Sequence, residues 1–421
     1  MDKVKIGVLG GFRGNEMIQY CKVAENAEIV AICDNNSDVL EIQRKHSDGY
    51  NITFYDNFDD FIKHDMDAVV LANFAVEHAP FAIKALKAGK HVYSEVAPVQ
   101  TMKEAVELIE TVEETGLIYA YGENFCYMPA PYEMKKLYEE GKIGELEYAE
   151  CEYIHNCEPI WHRITYGERD HWRNNLYATY YCTHSLGPIL HATGLRPVSV
   201  IGFEGAKTER NLRTGSKSGQ FGIEMVTLEN GGIVKSIHGG LYMGSGWYCM
   251  YGSKGRMECA RERLNKRQVY EIFVETDEYS GQYAPKLEQY RPKREHDDAA
   301  KGFGHATGDF YAAYHFMEKI RGNKDADIID VYEAMDMFLP GMFAYRSILN
   351  NGISMEIPNL RNKAERDKWR NDTMCTDKKV AGDMLVPPFS KGEPEIDEAV
   401  YDHMKDLFYA PDGGIGIFRY K

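Results

Sequence analysis

Apolar residues in the first third of the chain fall into short runs separated by amphipathic stretches. Residues 4–9, 28–33, 52–55, 68–72, 91–94 and 117–121 are the runs. Their near-continuous apolar character suits strands covered on both faces. Between them, 79–88 and 102–114 read as helices, the second with apolar positions three and four apart. Such alternation over residues 1–122 predicts an α/β domain, a parallel sheet with helices on both sides and a ligand site beyond the strands' carboxyl ends.

After residue 123 the rhythm changes. A helical pattern over 131–140 stops at Gly141, and 146–155 alternates like a strand. Further strands are expected at 199–203, 221–228, 232–238 and 247–251, with the turn Gly252-Ser253-Lys254-Gly255 leading into 257–260. Hairpins with little helix between them predict an α+β domain over 123–350, built on one open, mostly antiparallel sheet. Helices return at 309–321 and 331–349. Residues 351–421, charged and proline-rich near Pro387-Pro388, read as an extension packing on the body.

The turn after the first strand carries the first chemistry. Gly10-Gly11-Phe12-Arg13-Gly14 leads into a helix, and the second strand ends on Asp34. Glycines allow the tight bend and let a pyrophosphate approach the free N–H groups of the helix N-terminus. Gly10 and Gly11 are adjacent, so only Gly11-x-x-Gly14 keeps the spacing of the G-x-G-x-x-G fingerprint. Asp34 suits a ribose 2′-hydroxyl and would repel a 2′-phosphate. No Lys or Arg stands at Asn35, Asn36 or Ser37, so the expected cofactor is NAD.

Composition narrows the class. With 421 residues, two domains are the prior. A net charge of −16 excludes nucleic acid as the expected partner. No run approaches the roughly 20 apolar residues of a membrane span, and the early first strand leaves no room for a signal peptide. Nine cysteines without a C-x-x-C pair fit reduced thiols in a cytoplasmic protein. His155, His162, His171, His184 and His305 match no metal-binding helix spacing, and no metal is expected.

Several blocks carry a family likeness. Asp67-Ala68-Val69-Val70, Ala85-Leu86-Lys87-Ala88-Gly89-Lys90-His91-Val92 and Ser94-Glu95 resemble the Gfo/Idh/MocA family of NAD(P)-dependent sugar oxidoreductases. Lys142-Ile143-Gly144-Glu145 and Tyr251-Gly252-Ser253-Lys254-Gly255 look like later landmarks of it. The likeness covers roughly residues 3–350. It implies an N-terminal Rossmann domain and a C-terminal domain whose open sheet lines the site. Two departures stand out. The family's Glu-Lys-Pro reads Glu95-Val96-Ala97 here, so the lysine that works in hydride transfer is absent. Where the family often has Asp four residues before the catalytic His, Tyr180 precedes His184. Glu123-Asn124-Phe125-Cys126-Tyr127, Glu152-Tyr153-Ile154-His155 and Tyr181-Cys182-Thr183-His184-Ser185-Leu186-Gly187-Pro188 resemble the NAD-dependent glycosidases of glycoside hydrolase family 109.

That resemblance implies oxidation of a sugar C3 hydroxyl, elimination of the C1 substituent, hydration and reduction. The alternatives are a net sugar or cyclitol dehydrogenase and a non-catalytic NAD-binding sensor. His184 suits the C3 hydroxyl proton, because imidazole titrates near neutral pH. Tyr153 and His155, two apart on a strand, share a face. Either could deprotonate C2, with Tyr153 favoured by the likeness. Glu123 could serve the leaving group or the incoming water, and Tyr181 orients substrate or His184. We count Asn73, His78, Glu95 and Asn124 with the glycine turn as cofactor-binding. Trp161 and Arg163, expected in a loop, are placed with His305 and Asp309 as substrate contacts, although Asp309 could equally be a helix N-cap. The expected partners are a small carbohydrate and further copies of the chain, joined through the C-terminal sheet.

From the Asp34 argument, NAD should bind more tightly than NADP, and Asp34→Ala should narrow the difference. Equal or tighter binding of NADP by the unmutated protein, read by titration, would reverse the assignment.

Overall fold

In the computed structural model, which describes residues 3–262, 267–277, 284–411 and 413, the six early apolar runs form one sheet. Its strands are β1 (Val4–Leu9), β2 (Ala27–Cys33), β3 (Thr53–Tyr55), β4 (Ala68–Leu71), β5 (His91–Ser94) and β6 (Tyr119–Tyr121). They lie in the order β3-β2-β1-β4-β5-β6, and every pairing is parallel. Ile6, Val8, Val69 and Val92 are fully buried, as strands covered on both sides must be. The helix Met102–Thr115 starts at a capping box between Thr101 and Glu104 and stops at left-handed Gly116, so local sequence sets both of its ends.

The remaining strands form a nine-stranded sheet. They are β7 (Leu146–His155), β8 (Pro197–Glu204), β9 (Phe221–Leu228), β10 (Ile233–Gly239), β11 (Gly244–Gly252), β12 (Gly255–Cys259), β13 (Ile272–Asp277), β14 (Pro285–Tyr290) and β15 (Met355–Glu356). The order is β14-β13-β12-β11-β7-β10-β9-β8-β15. All neighbours are antiparallel except β7 and β10. One face carries Tyr153 on β7, His238 beside it on β10 and Gly222 beside that on β9. This face packs on the helix Thr183–Thr193, where Ser185 and Ser236 share a 2.8 Å hydroxyl hydrogen bond. Strands β13 to β15 were not anticipated. Their charged positions hide the alternation, and pairing at the sheet's two ends supplies what local pattern does not.

Residues after 350 run back across the body. Ser390 donates from its backbone N to Glu204 (3.0 Å), Lys217 pairs with Glu393 (2.7 Å), and Tyr401 donates to the Gly215 carbonyl (3.3 Å). The Tyr166 and Phe408 rings meet edge to face. Left-handed Gly167 is needed there, since a Cβ would stand 2.7 Å from the Lys405 backbone. Among the described residues no helix is long and apolar enough to cross a membrane.

A buried charge cluster ties three helices and the Asp327 loop together. His191 on Thr183–Thr193 bonds Glu333 through Nδ1 (2.6 Å) and Asp327 through Nε2 (3.2 Å), and Lys135 also reaches Asp327. Burial alone would lower the His191 pKa, but the two carboxylates outweigh it and raise it to about 9. A raised folded-state pKa means this stabilisation is complete below about pH 6.5 and is lost as pH rises through about 9. Its size is on the order of 3 kcal/mol. Denaturant midpoints should therefore fall between pH 6.5 and 9.5. His191→Gln should lower the midpoint at pH 6.5 and flatten that fall; an unchanged slope would show that the imidazole is not held charged.

Candidate active site

Gly10 adopts φ +93°, and a Cβ there would stand 2.4 Å from the Ala72 carbonyl oxygen. At Gly14 a Cβ would meet Val8 Cγ1 at 2.4 Å, so the turn hugs the strands and only glycine fits. Asp34 accepts from the N–H of Gly11 (2.8 Å) and of Asn36 (2.9 Å), which points its carboxylate into the turn. Gln43 donates to the Gly11 carbonyl at 2.7 Å, a support the sequence reading missed. No side chain caps the following helix Asn15–Val23, although the N–H groups of Gly14 and Asn15 are already given to the Gly10 and Phe12 carbonyls. Asn73 Oδ1, His78 Nε2 and Asn124 Oδ1 are buried without a partner, and all three residues line the adjoining cavity. The glycine turn, the Asp34 carboxylate and the unsatisfied polar atoms together fit a dinucleotide. Gly10, Gly11, Phe12 and Gly14 build this turn as expected. Arg13 instead crosses to Glu95 (2.9 Å) and Asp309 (3.1 Å).

His184 is the second residue of the helix Thr183–Thr193. Pro188 stands four residues on and has no N–H to give the His184 carbonyl. The Tyr248 hydroxyl donates to that carbonyl instead. Glu123, just past β6, is fully buried, and its Oε1 lies 2.7 Å from His184 Nδ1. An ionised carboxylate there requires the proton on Nδ1, leaving Nε2 as the basic nitrogen for the cavity. This corrects the expected role of Glu123. A side chain with no exposed surface cannot reach a leaving group or water. It holds the histidine.

The cavity has a volume of about 450 Å³. Tyr153 and His155 do share a face, with the Tyr153 hydroxyl 2.8 Å from His155 Nδ1. Burial lowers the His155 pKa, helped by the nearby Arg173, which favours a neutral ring able to accept the tyrosine hydrogen bond. Burial also pushes the Tyr153 phenol up. The Phe125 ring is a hub, with Tyr153 at 5.1 Å, His184 at 4.6 Å and His305 at 5.9 Å between centroids. Tyr181 lines the cavity 6.0 Å from His184. Arg173 lies 4.4 Å over Trp172 and 5.4 Å over Tyr181.

His305, Ala306 and Thr307 are consecutive non-glycine residues in the left-handed region, with φ of 47°, 52° and 72°. Such geometry costs roughly 1 kcal/mol or more per residue. Arg294 stabilises it, donating to the Tyr127 carbonyl (2.6 Å) and to Thr307 Oγ1 while its guanidinium covers the Tyr311 ring at 3.8 Å. Gly308 follows, packed so closely that a Cβ would be 2.3 Å from the Asn124 carbonyl oxygen. The turn sets His305 Nδ1 2.7 Å from Asp309 Oδ2. Burial would lower the His305 pKa, but the Asp309 hydrogen bond and charge raise it. Asp309 caps no helix. It sits inside Gly308–Ile320, whose N-cap is Thr307, and accepts from Arg13 and Asn124 (2.7 Å).

Trp161 lies in a short helix, Trp161–Ile164, rather than a loop. Positions 161 and 164 face the cavity, and Arg163, two residues along a helical turn, does not line it. Sequence reading also missed Arg173 and the buried pair His238–Glu224 (2.7 Å) on the cavity floor. The signal was available, since period-two alternation puts both residues on the inward face of β9 and β10.

Residues 4–123 match the model of an oxidoreductase family, the NAD-binding Rossmann fold of Gfo/Idh/MocA proteins. The chain is similar to a glycosyl hydrolase family 109 protein of Solibacter usitatus (strain Ellin6076), at 26% identity over 87% of this chain and 89% of that one. Its fold is shared with an oxidoreductase from Agrobacterium radiobacter in complex with NAD⁺, L-tartaric acid and magnesium (TM-score 0.69, 13% identity, 84% of this chain and 98% of that). It is shared too with scyllo-inositol dehydrogenase from Lactobacillus casei with bound NAD(H) and scyllo-inositol (TM-score 0.65, 16% identity, 86% and 100%).

The Glu123–His184 pair generates a specific expectation. Glu123→Gln keeps a side chain of the same shape but removes the charge that fixes the tautomer. It should lower kcat by about 100-fold or more while leaving the fold's thermal midpoint within a few degrees. Full activity in Glu123→Gln would remove the carboxylate from the working site.

Proposed function

We propose that this chain, whose N-terminal domain belongs to the Gfo/Idh/MocA oxidoreductase family, cleaves a glycoside by a redox-neutral route. The C3 hydroxyl is oxidised, the C1 substituent is eliminated, water adds, and C3 is reduced again. The observation that carries this reading is the set of proton-handling groups gathered round Phe125, in a site where Val96 replaces the dehydrogenases' lysine. The family 109 name of the Solibacter relative supports the same class.

NAD, at the turn of Gly10, Gly11 and Gly14 with Asp34 on its ribose, supplies a hydride acceptor that is restored each turnover. His184 Nε2 takes the C3 hydroxyl proton, and Glu123 stabilises the imidazolium that results. A C3 ketone makes the C2 proton acidic. The Tyr153 oxygen receives that proton as its own passes to His155 Nδ1, which lets a phenol of raised pKa act as a base. Trp161 offers an apolar face, and Arg173 with Tyr181 holds sugar oxygens. A net dehydrogenase would need a lasting cation where Val96 stands, because donors of that kind supply several kcal/mol to a developing alkoxide. A transient ketone needs it less. The same reading includes a cytoplasmic protein that self-associates through the second sheet, where Phe203, Ile233 and Tyr251 are exposed.

The test is turnover of aryl glycosides with bound NAD in deuterated water. Deuterium at product C2 with no accumulating NADH is expected. Steady NADH formation matched to released keto-sugar, without C2 exchange, would make the protein an ordinary dehydrogenase. Tyr153→Phe should still oxidise C3 in a single turnover but slow C2 exchange by about 100-fold. If it blocked the first oxidation, the division of roles between Tyr153 and His184 would be wrong.

A further inference from the structure

Eliminating a sugar C1 substituent leaves an alkoxide that needs a proton, and the groups assigned so far do not provide one. Glu123 is sealed from the cavity. His184 receives the C3 hydroxyl proton, and Tyr153 with His155 receives the one from C2. Glu95 is tied to Arg13, and Glu158 to Arg210 and Arg213. His238 is held by Glu224 with only 2% of its side chain exposed.

We propose that His305, oriented by Asp309, is the general acid that protonates the departing C1 oxygen; this rests on the redox-neutral reading above. Its side chain is 42% exposed, and it lines the cavity. With Nδ1 on Asp309, the Nε2–H is the donor left for a ligand. His305 packs on the same Phe125 ring as His184 and Tyr153, and all three line the one cavity. The clamped left-handed turn holds the imidazole there, and the Asp309 hydrogen bond and charge, against burial, raise its pKa and so favour the protonated form.

The step balances. The C2–H electron pair becomes the C1=C2 double bond conjugated with the C3 ketone. The C1–O bond breaks with its electron pair going to oxygen, and that oxygen takes the proton from His305 Nε2. In the hydration half, neutral Nε2 takes a proton from the water whose oxygen bonds to C1, while the proton stored on the Tyr153–His155 pair returns to C2. His305 ends each cycle charged again.

The experiment is a leaving-group series on His305→Gln, with kcat/KM measured for glycosides from dinitrophenyl to alkyl. A leaving group that departs without a proton should keep the rate within about threefold of the unmutated chain. Alkyl glycosides should lose about 100-fold or more. The basic limb of the unmutated pH profile should be absent in the variant, and NAD affinity, read by protein fluorescence, should be unchanged. His305→Ala should regain alkyl-glycoside activity with added imidazole. Equal loss across all leaving groups, or weakened NAD binding that accounts for the loss, would overturn the acid role while leaving the redox-neutral reading standing. Failure of the unmutated protein to cleave any glycoside would overturn that reading, and the acid role with it.

Discussion

A carboxylate with no exposed surface must be paired, or it shifts its protonation to avoid a large desolvation cost. Glu123 meets that requirement through Oε1 alone, which takes one imidazole nitrogen and the N–H of Phe125, while its Oε2 is buried without a partner. The pairing does more than satisfy a charge. Glu123 closes the last strand of the first sheet, and His184 opens the helix that supports the second, so one 2.7 Å contact registers the two halves against each other. The tautomer of the histidine and the seating of the helix are therefore two results of one interaction.

The second sheet supplies a floor whose residues are addressed by strand register. Glycines at 246 and 222 flank Tyr153 and His238 in a single row, and Gly222 lets the Ala178–Thr179 segment approach, since a Cβ there would stand 2.7 Å from the Ala178 carbonyl oxygen. The cations follow a similar economy. Arg13 reaches from the cofactor turn to Glu95 and Asp309, and Asp309 in turn holds His305. Positive charge at this end of the cavity thus comes from Arg13, held between Glu95 and Asp309, rather than from a lysine at position 96.

Much of the fold was legible from local pattern. Residues 331–349 form the helix expected despite Pro340 within it, and β7 and β9 have the expected bounds. The carbonyl that Pro188 leaves free was not legible, because its donor, Tyr248, lies on a distant strand. The site divides in the same way. Motifs identified His184, Tyr153 and His155, which are close in sequence or in known blocks. They could not reveal that Glu123 points inward, nor that Arg13 and Asp309, 296 residues apart, would pair. Those facts depend on how the two sheets close on each other, and no short stretch of sequence encodes that.

The far wall of the cavity is held by contacts from Ser390, Glu393, Tyr401 and Phe408 to residues 166–217. During synthesis the wall segments leave the ribosome well before those anchors. At roughly 5–20 residues per second, the interval is on the order of 10–40 s. Only in the last part of that time, once residues 355–356 complete the second sheet, can the helix Thr183–Thr193 and its sheet be assembled while the cavity stands open on one side. A nascent chain would thus pass through a stage with its chemistry in place and its substrate enclosure missing, and a truncation before residue 390 would make that stage permanent.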